Sequence, residues 1–126
     1  MDEFEHGRVD GISATLVLGP DNILRLRWAR GISIVEKDAL RAMERVNELC
    51  AETSHPMLVD MATTKAVSRG ARSVFGLPSS ASRIALLGTS QVDKVIANFI
   101  LGVSTLPCPT KFFISETEAL DWLRKE

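Results

Sequence analysis

Met57-Leu58-Val59-Asp60-Met61-Ala62-Thr63-Thr64-Lys65-Ala66-Val67-Ser68-Arg69-Gly70-Ala71-Arg72 is the stretch that decides the fold, because it joins a buried strand to a capped helix. The apolar run Met57 to Val59 stops at Asp60 and a polar loop of Thr63, Thr64 and Lys65 follows. Ser68 then stands where a helix N-cap belongs. A short unbroken apolar run of this kind suits a strand covered on both faces, as in a parallel sheet. In such a sheet the loop beyond the strand is a functional position, since ligands and partners dock at the carboxyl ends of parallel strands.

Downstream, the spacing predicts a helix from Ser68 to Phe75 that stops before Pro78, and then a strand from Arg83 to Leu87. Gly88-Thr89-Ser90 turns into a helix carrying Val92, Val95, Ile96, Phe99, Ile100 and Val103, charged only at Asp93 and Lys94. A last strand, Lys111 to Ile114, meets Ser115-Glu116-Thr117-Glu118, a capping-box pattern that opens a helix with Ala119, Leu120 and Leu123 on one side. Arg124 and Lys125 close that helix with the charge its dipole prefers.

Upstream, Ala39, Leu40, Met43, Val46, Leu49 and Cys50 recur at helical spacing between Val35 and Glu52, with Lys37, Arg41, Glu44, Arg45 and Glu48 opposite, and His55-Pro56 ends this helix. Before it, Ile12–Leu18 and Ile23–Trp28 are rich in strand formers and flank Gly19-Pro20-Asp21-Asn22, whose residue types favour a tight turn. Leu24, Leu26 and Trp28 alternate with Arg25 and Arg27, which sets the second strand near a sheet edge or beneath an open face. The order is two strands, helix and strand three times over, and a last helix. Strands separated by helices imply parallel crossovers. The expectation is a single α/β domain over residues 1–126, with residues 1–10 a flexible start. In it an N-terminal β-hairpin is followed by βαβ crossovers that give a mixed, mostly parallel five-stranded sheet flanked by about four helices.

A chain of 126 residues with 45% hydrophobic and 25% charged residues has the composition of an ordinary globular domain. It is long enough to bury roughly two-thirds of its unfolded surface. Its net charge of −1 gives no general attraction to nucleic acid or to an acidic membrane. The acidic start Met1-Asp2-Glu3-Phe4-Glu5-His6 lacks the basic and apolar regions of a signal peptide, so a cytoplasmic location is expected. The apolar tract from Val95 to Leu106 is shorter than the roughly 20 residues a membrane crossing needs, so no membrane insertion is expected. Cys50 and Cys108 lack metal or redox spacing and suit a reducing compartment better than a disulfide. His6 and His55 have no ligand-spaced partner, no nucleophile has a recognisable base, and neither a GxGxxG nor a P-loop occurs. Catalytic residues, metals and cofactors are therefore all expected to be none.

The Asp-ended strand, its loop and the short helix, within this element order, resemble the STAS fold of bacterial anti-sigma factor antagonists, the SpoIIAA-like group. The ending, from Gly102 through Pro109-Thr110-Lys111-Phe112-Phe113 to Glu118-Ala119-Leu120-Asp121-Trp122-Leu123, looks like that of uncharacterised bacterial STAS-like domains related to the CRAL-TRIO lipid-binding fold. In the antagonists the loop leads to a helix start with an Asp followed by a phosphorylatable serine. Aligning Asp60 with the strand-ending Asp puts Ser68 at that Asp and Arg69 at the phosphoserine, whereas a slip of one residue puts Ser68 at the acceptor.

Asp60, Thr63, Thr64, Lys65, Ser68, Arg69 and Arg72 form the candidate ligand or partner surface, at a rim where helix starts near Ser68, Ser90 and Ser115 would favour an anion. Read as plain structure, the serines are caps and the arginines solvated side chains. Phe99, Ile100 and Val103 are the candidate oligomer interface of a homodimer, or else are covered by another helix of the same chain or line an apolar pocket as the CRAL-TRIO resemblance implies. The leading expectation is regulatory interaction with another bacterial protein. The alternative is a carrier or sensor of a small apolar or anionic ligand.

Overall fold

The computed structural model describes residues 14–51, 53–61, 64–75, 80–89 and 108–125. In chain order the elements are β1 (Ala14–Leu18), β2 (Leu24–Trp28), β3 (Ser33–Ile34), α1 (Glu36–Cys50), β4 (His55–Asp60), β5 (Ala66–Val67), α2 (Arg69–Phe75), β6 (Ala81–Leu87), β7 (Thr110–Phe113) and α3 (Glu116–Arg124).

The expected hairpin is present, β1 running antiparallel to β2 with Leu18 opposite Leu24. Its turn is built as its residues require. Pro20 follows Gly19, Asn22 takes a φ of 66° and donates its N–H to the Gly19 carbonyl at 3.0 Å, and Asp21 Oδ1 accepts from the Ile23 amide at 3.2 Å. The main sheet has the order β1-β2-β4-β6-β7, and every pair beyond the hairpin is parallel. Five strands in one mixed sheet match the expectation. β2 lies one strand in from the edge, near it as the alternation of Arg25 and Arg27 with the leucines suggests, and the Arg27 side chain is 56% exposed.

Three readings need correction. The first helix ends at Cys50 instead of Glu52, because Ala51 turns to a φ of 54° and the Thr53 amide and hydroxyl both donate to the Cys50 carbonyl, at 2.9 and 2.7 Å. His55 and Pro56 do not end that helix but open β4. The β2 ladder begins only at Met57 and the β6 register shifts between His55 and Met57, so the amide that Pro56 lacks leaves no gap in either ladder. The third correction is a second, two-stranded parallel sheet of β3 and β5, too short to show periodicity in sequence. Among the described residues there are three helices against an expectation of about four. The expected helix over Val92–Val103 lies outside the described residues.

Two cores flank the sheet. On one face α1 and α2 cover Leu16, Leu24, Leu26, Trp28, Met57 and Val59, with Ala39, Ala42, Val46 and Cys50 contributed by α1. On the other, α3 lays Ala119 and Leu123 over Ile23, Leu58, Ala85 and Leu87. Leu24 and Leu26 are wholly buried, each contributing about 1.5–3 kcal/mol. The strand β4 serves both cores by alternation, Met57 and Val59 facing one and Leu58 the other.

Helix ends follow their residues. Ser115 caps α3 by accepting from the Glu118 amide at 3.3 Å, as its sequence predicts. At α1 the N-cap is Val35, which has no polar side chain, and Asp38 supplies half of a capping box by accepting the Val35 N–H at 3.0 Å.

Candidate functional site

The carboxyl end of β4 carries the rim that the sequence singles out. Asp60 closes the strand opposite Arg27 of β2 in the parallel ladder, and the two side chains form an ion pair at 3.1 Å, with the Asp60 side chain 22% exposed and Arg27 at 56%. Sequence reading missed Arg27 as a member of the rim. Its alternation with the leucines was visible, but the partner depends on a register between strands more than 30 residues apart.

Beyond Asp60 the chain is held by backbone hydrogen bonds. The Met61 amide donates to the Leu87 carbonyl at 2.9 Å and the Thr64 amide to the Met61 carbonyl at 3.1 Å. Lys65 N–H then donates to the Ile32 carbonyl at 2.7 Å, Ala66 and Val67 pair with Ser33 and Ile34, and Ser68 N–H donates to the Ile34 carbonyl at 2.8 Å. The segment that reads as a loop is thus a strapped edge, fastened to the chain that leads into α1. Lys65 and Arg69 stay exposed on this edge.

The Ser68 hydroxyl accepts from the Ala71 amide at 3.1 Å, so the residue is the N-cap of α2 and Arg69 the first helical residue. Thr64 is 4% exposed and its hydroxyl has no hydrogen-bond partner among the described residues, an arrangement that costs about 1–3 kcal/mol. Arg72 lies within α2. Thr63 and the candidate interface Phe99, Ile100 and Val103 lie outside the described residues. Asp60, Lys65, Ser68 and Arg69 therefore share one constrained rim, to which Arg27 is added.

Titratable groups elsewhere are held by local contacts. At the hairpin turn Asp21 takes both Arg25 Nη atoms, at 3.1 and 2.9 Å, and that guanidinium holds its carboxyl far below the usual carboxylate range, while Asp21 in turn holds Arg25 charged. Cys50 and Cys108 are free thiols, both pushed above their ordinary value by burial, which suits packing better than nucleophilic attack. His55 bridges two segments, with Nδ1 at 3.0 Å from the Asn22 carbonyl and Nε2 at 2.9 Å from the Thr53 hydroxyl. Among the described residues no three His, Cys, Asp or Glu side chains gather to hold a metal, and no helix is long and apolar enough to cross a membrane.

A family model described as Domain of unknown function (DUF7793) matches residues 17–126. The crystal structure of a protein with unknown function from Arthrobacter sp. FB24 is 66% identical, covering 86% of this chain and 91% of its own, with a TM-score of 0.37. An uncharacterized protein from the DUF3478 family with a SpoIIAA-like fold, from Shewanella loihica PV-4, is 20% identical, covers 98% of both chains and gives a TM-score of 0.58. That second likeness shows the fold, and it agrees with the SpoIIAA-like resemblance of the sequence. No curated protein matches.

Proposed function

The chain belongs to the family described as Domain of unknown function (DUF7793), and from that membership and its SpoIIAA-like fold we propose that it acts by binding another protein in a regulatory role and not by catalysis. The observation that carries this reading is the strapped rim. The β3–β5 ladder and the bonds to Ile32 and Ile34 fix the backbone of residues 64–68 while leaving Lys65 and Arg69 exposed. A surface ordered before it meets a partner loses less conformational entropy on binding, which favours recognition by a basic, rigid edge. The Ser68 hydroxyl serves the cap, so the reading does not depend on its modification. A homodimer belongs to the same proposal, supported by the apolar excess in the sequence from Val92 to Val103, and a cytoplasmic location is proposed with it.

The test uses tagged protein expressed in Arthrobacter sp. FB24, the organism of the 66%-identical relative. A partner that copurifies in stoichiometric amount with the wild type should fall about tenfold or more with Lys65→Glu/Arg69→Glu, and should persist with Lys37→Glu on exposed α1. Equal recovery with the rim variant would reject the rim as the contact surface. Native mass spectrometry of the same preparation reads the dimer directly.

A further inference from the structure

The opposite end of the sheet carries a second feature, at the amino ends of the parallel strands. Because α3 starts beyond the carboxyl end of β7 and runs back across β6, its last residues return to where β4 and β6 begin. There Asp21, Ile23, Pro56, Ser82, Arg83, Leu123, Arg124 and Lys125 enclose an open cleft of about 440 Å³. That volume falls within the range of small-molecule sites.

The lining is amphipathic and unbalanced in charge. Ile23 and Leu123, 1% and 3% exposed, give an apolar floor with Pro56. Among the described lining residues three cations stand against one carboxylate, on a chain whose net charge is −1. The carboxylate is already committed, since Asp21 is clamped by Arg25 and touched by Arg124 at 3.4 Å. Arg83 is half-buried, donates Nη1 to the Trp122 carbonyl at 2.7 Å and lies 4.8 Å from the Trp122 ring centroid. Among the described residues no carboxylate pairs with it or with Lys125. A guanidinium fixed by stacking and one hydrogen bond, with no further partner among the described residues, is an ordered receptor for a tetrahedral or planar anion. The Ser82 hydroxyl adds a donor on the same rim.

We propose that this cleft binds a small phosphate monoester with an apolar body, the phosphate held by Arg83, Lys125 and Ser82 and the body laid on Ile23, Pro56 and Leu123. The excess of two positive charges among the described lining residues matches a phosphate monoester, which carries about −1.5 to −2 at pH 7, better than it matches a single carboxylate. The site is separate from the rim around Asp60 and Lys65, so either assignment can fail alone.

Amide NMR titration with phenyl phosphate and with inorganic phosphate tests it. Phenyl phosphate should give saturable shifts at Ser82, Arg83, Leu123, Arg124 and Lys125, and should bind several-fold more tightly than inorganic phosphate because of the apolar floor. Arg83→Met, which keeps an unbranched apolar stem and removes the guanidinium, should weaken binding about tenfold or more. Lys125→Met, at an exposed position where folding is not at stake, should weaken it several-fold, and Arg69→Met should change nothing. Shifts that rise linearly without saturation and spread to Lys65 and Arg69 would overturn the proposal, as would an affinity unchanged by both Arg83→Met and Lys125→Met.

Discussion

At the scale of single residues, two polar groups with opposite fates make separate expectations. The Thr64 hydroxyl is buried beside the rim without a partner among the described residues, and a buried unmade hydrogen bond counts against the folded state. Thr64→Val keeps the shape and removes the group, so it should raise stability by about 1 kcal/mol, read as a higher urea midpoint at unchanged slope. A lower midpoint would mean that the hydroxyl has a partner. Asp21 is the reverse case. Its carboxyl lies well below the ordinary value of 3.8 because Arg25 holds it ionised. A group depressed on folding adds stability that is complete above its unfolded pKa and fades as pH falls toward its folded one. The wild type should therefore lose stability below about pH 4, and Asp21→Asn should be less stable at neutral pH with a shallower acid limb. Parallel acid limbs in thermal melts would reject that role. Neither fate was legible in the sequence. Asp21 was placed correctly in its turn, but its clamp by Arg25 and Arg124 depends on where a strand and a distant helix end.

At the scale of elements, the approach of α1 to α2 turns on a glycine. A Cβ built on Gly70 would stand 2.8 Å from the Cβ of Glu36 and 2.6 Å from its Oε1, and the Cβ of Glu36, close to its backbone, has little freedom to move aside. In an exposed helix Gly→Ala gains up to about 1 kcal/mol. Here the two helix starts collide, so Gly70→Ala should instead lower stability by about 1–3 kcal/mol. Glu36→Gly should recover part of that loss in the double variant, and additive losses in chemical denaturation would show that the two positions do not touch. The elements themselves were largely legible, because Ser68, Ser115 and the Gly19–Asn22 turn carry their structure in their own side chains. The β3–β5 ladder was not, since two residues a side hold no period and the pairing joins Ser33 to Ala66 across the whole of α1. That ladder turns the candidate loop into a strapped rim, a constraint that the loop's own residues do not reveal.

At the scale of the whole molecule, one sheet is shared by two cores, and β4 is the element through which they are coupled. Met57 and Val59 face α1 and α2 while Leu58 faces α3, so the α3 layer cannot separate without exposing the far side of a strand that the first core needs. Chance has placed one tryptophan with each core, Trp28 at 3% exposure in the first and Trp122, tilted against Phe113 at 5.6 Å, packed on the second. Trp122→Phe and Trp28→Phe each leave a single reporter, and the two should give coincident urea transitions when each is normalised to its own stability. Leu123→Ala removes the main α3 contact and should cost about 2–5 kcal/mol. Coupling through β4 requires that this loss move the Trp28 transition as far as the Trp122 transition. A Trp122 transition that moves alone would show α3 melting as a separate unit, with the phosphate cleft it closes lost before the rim at the other end of the sheet.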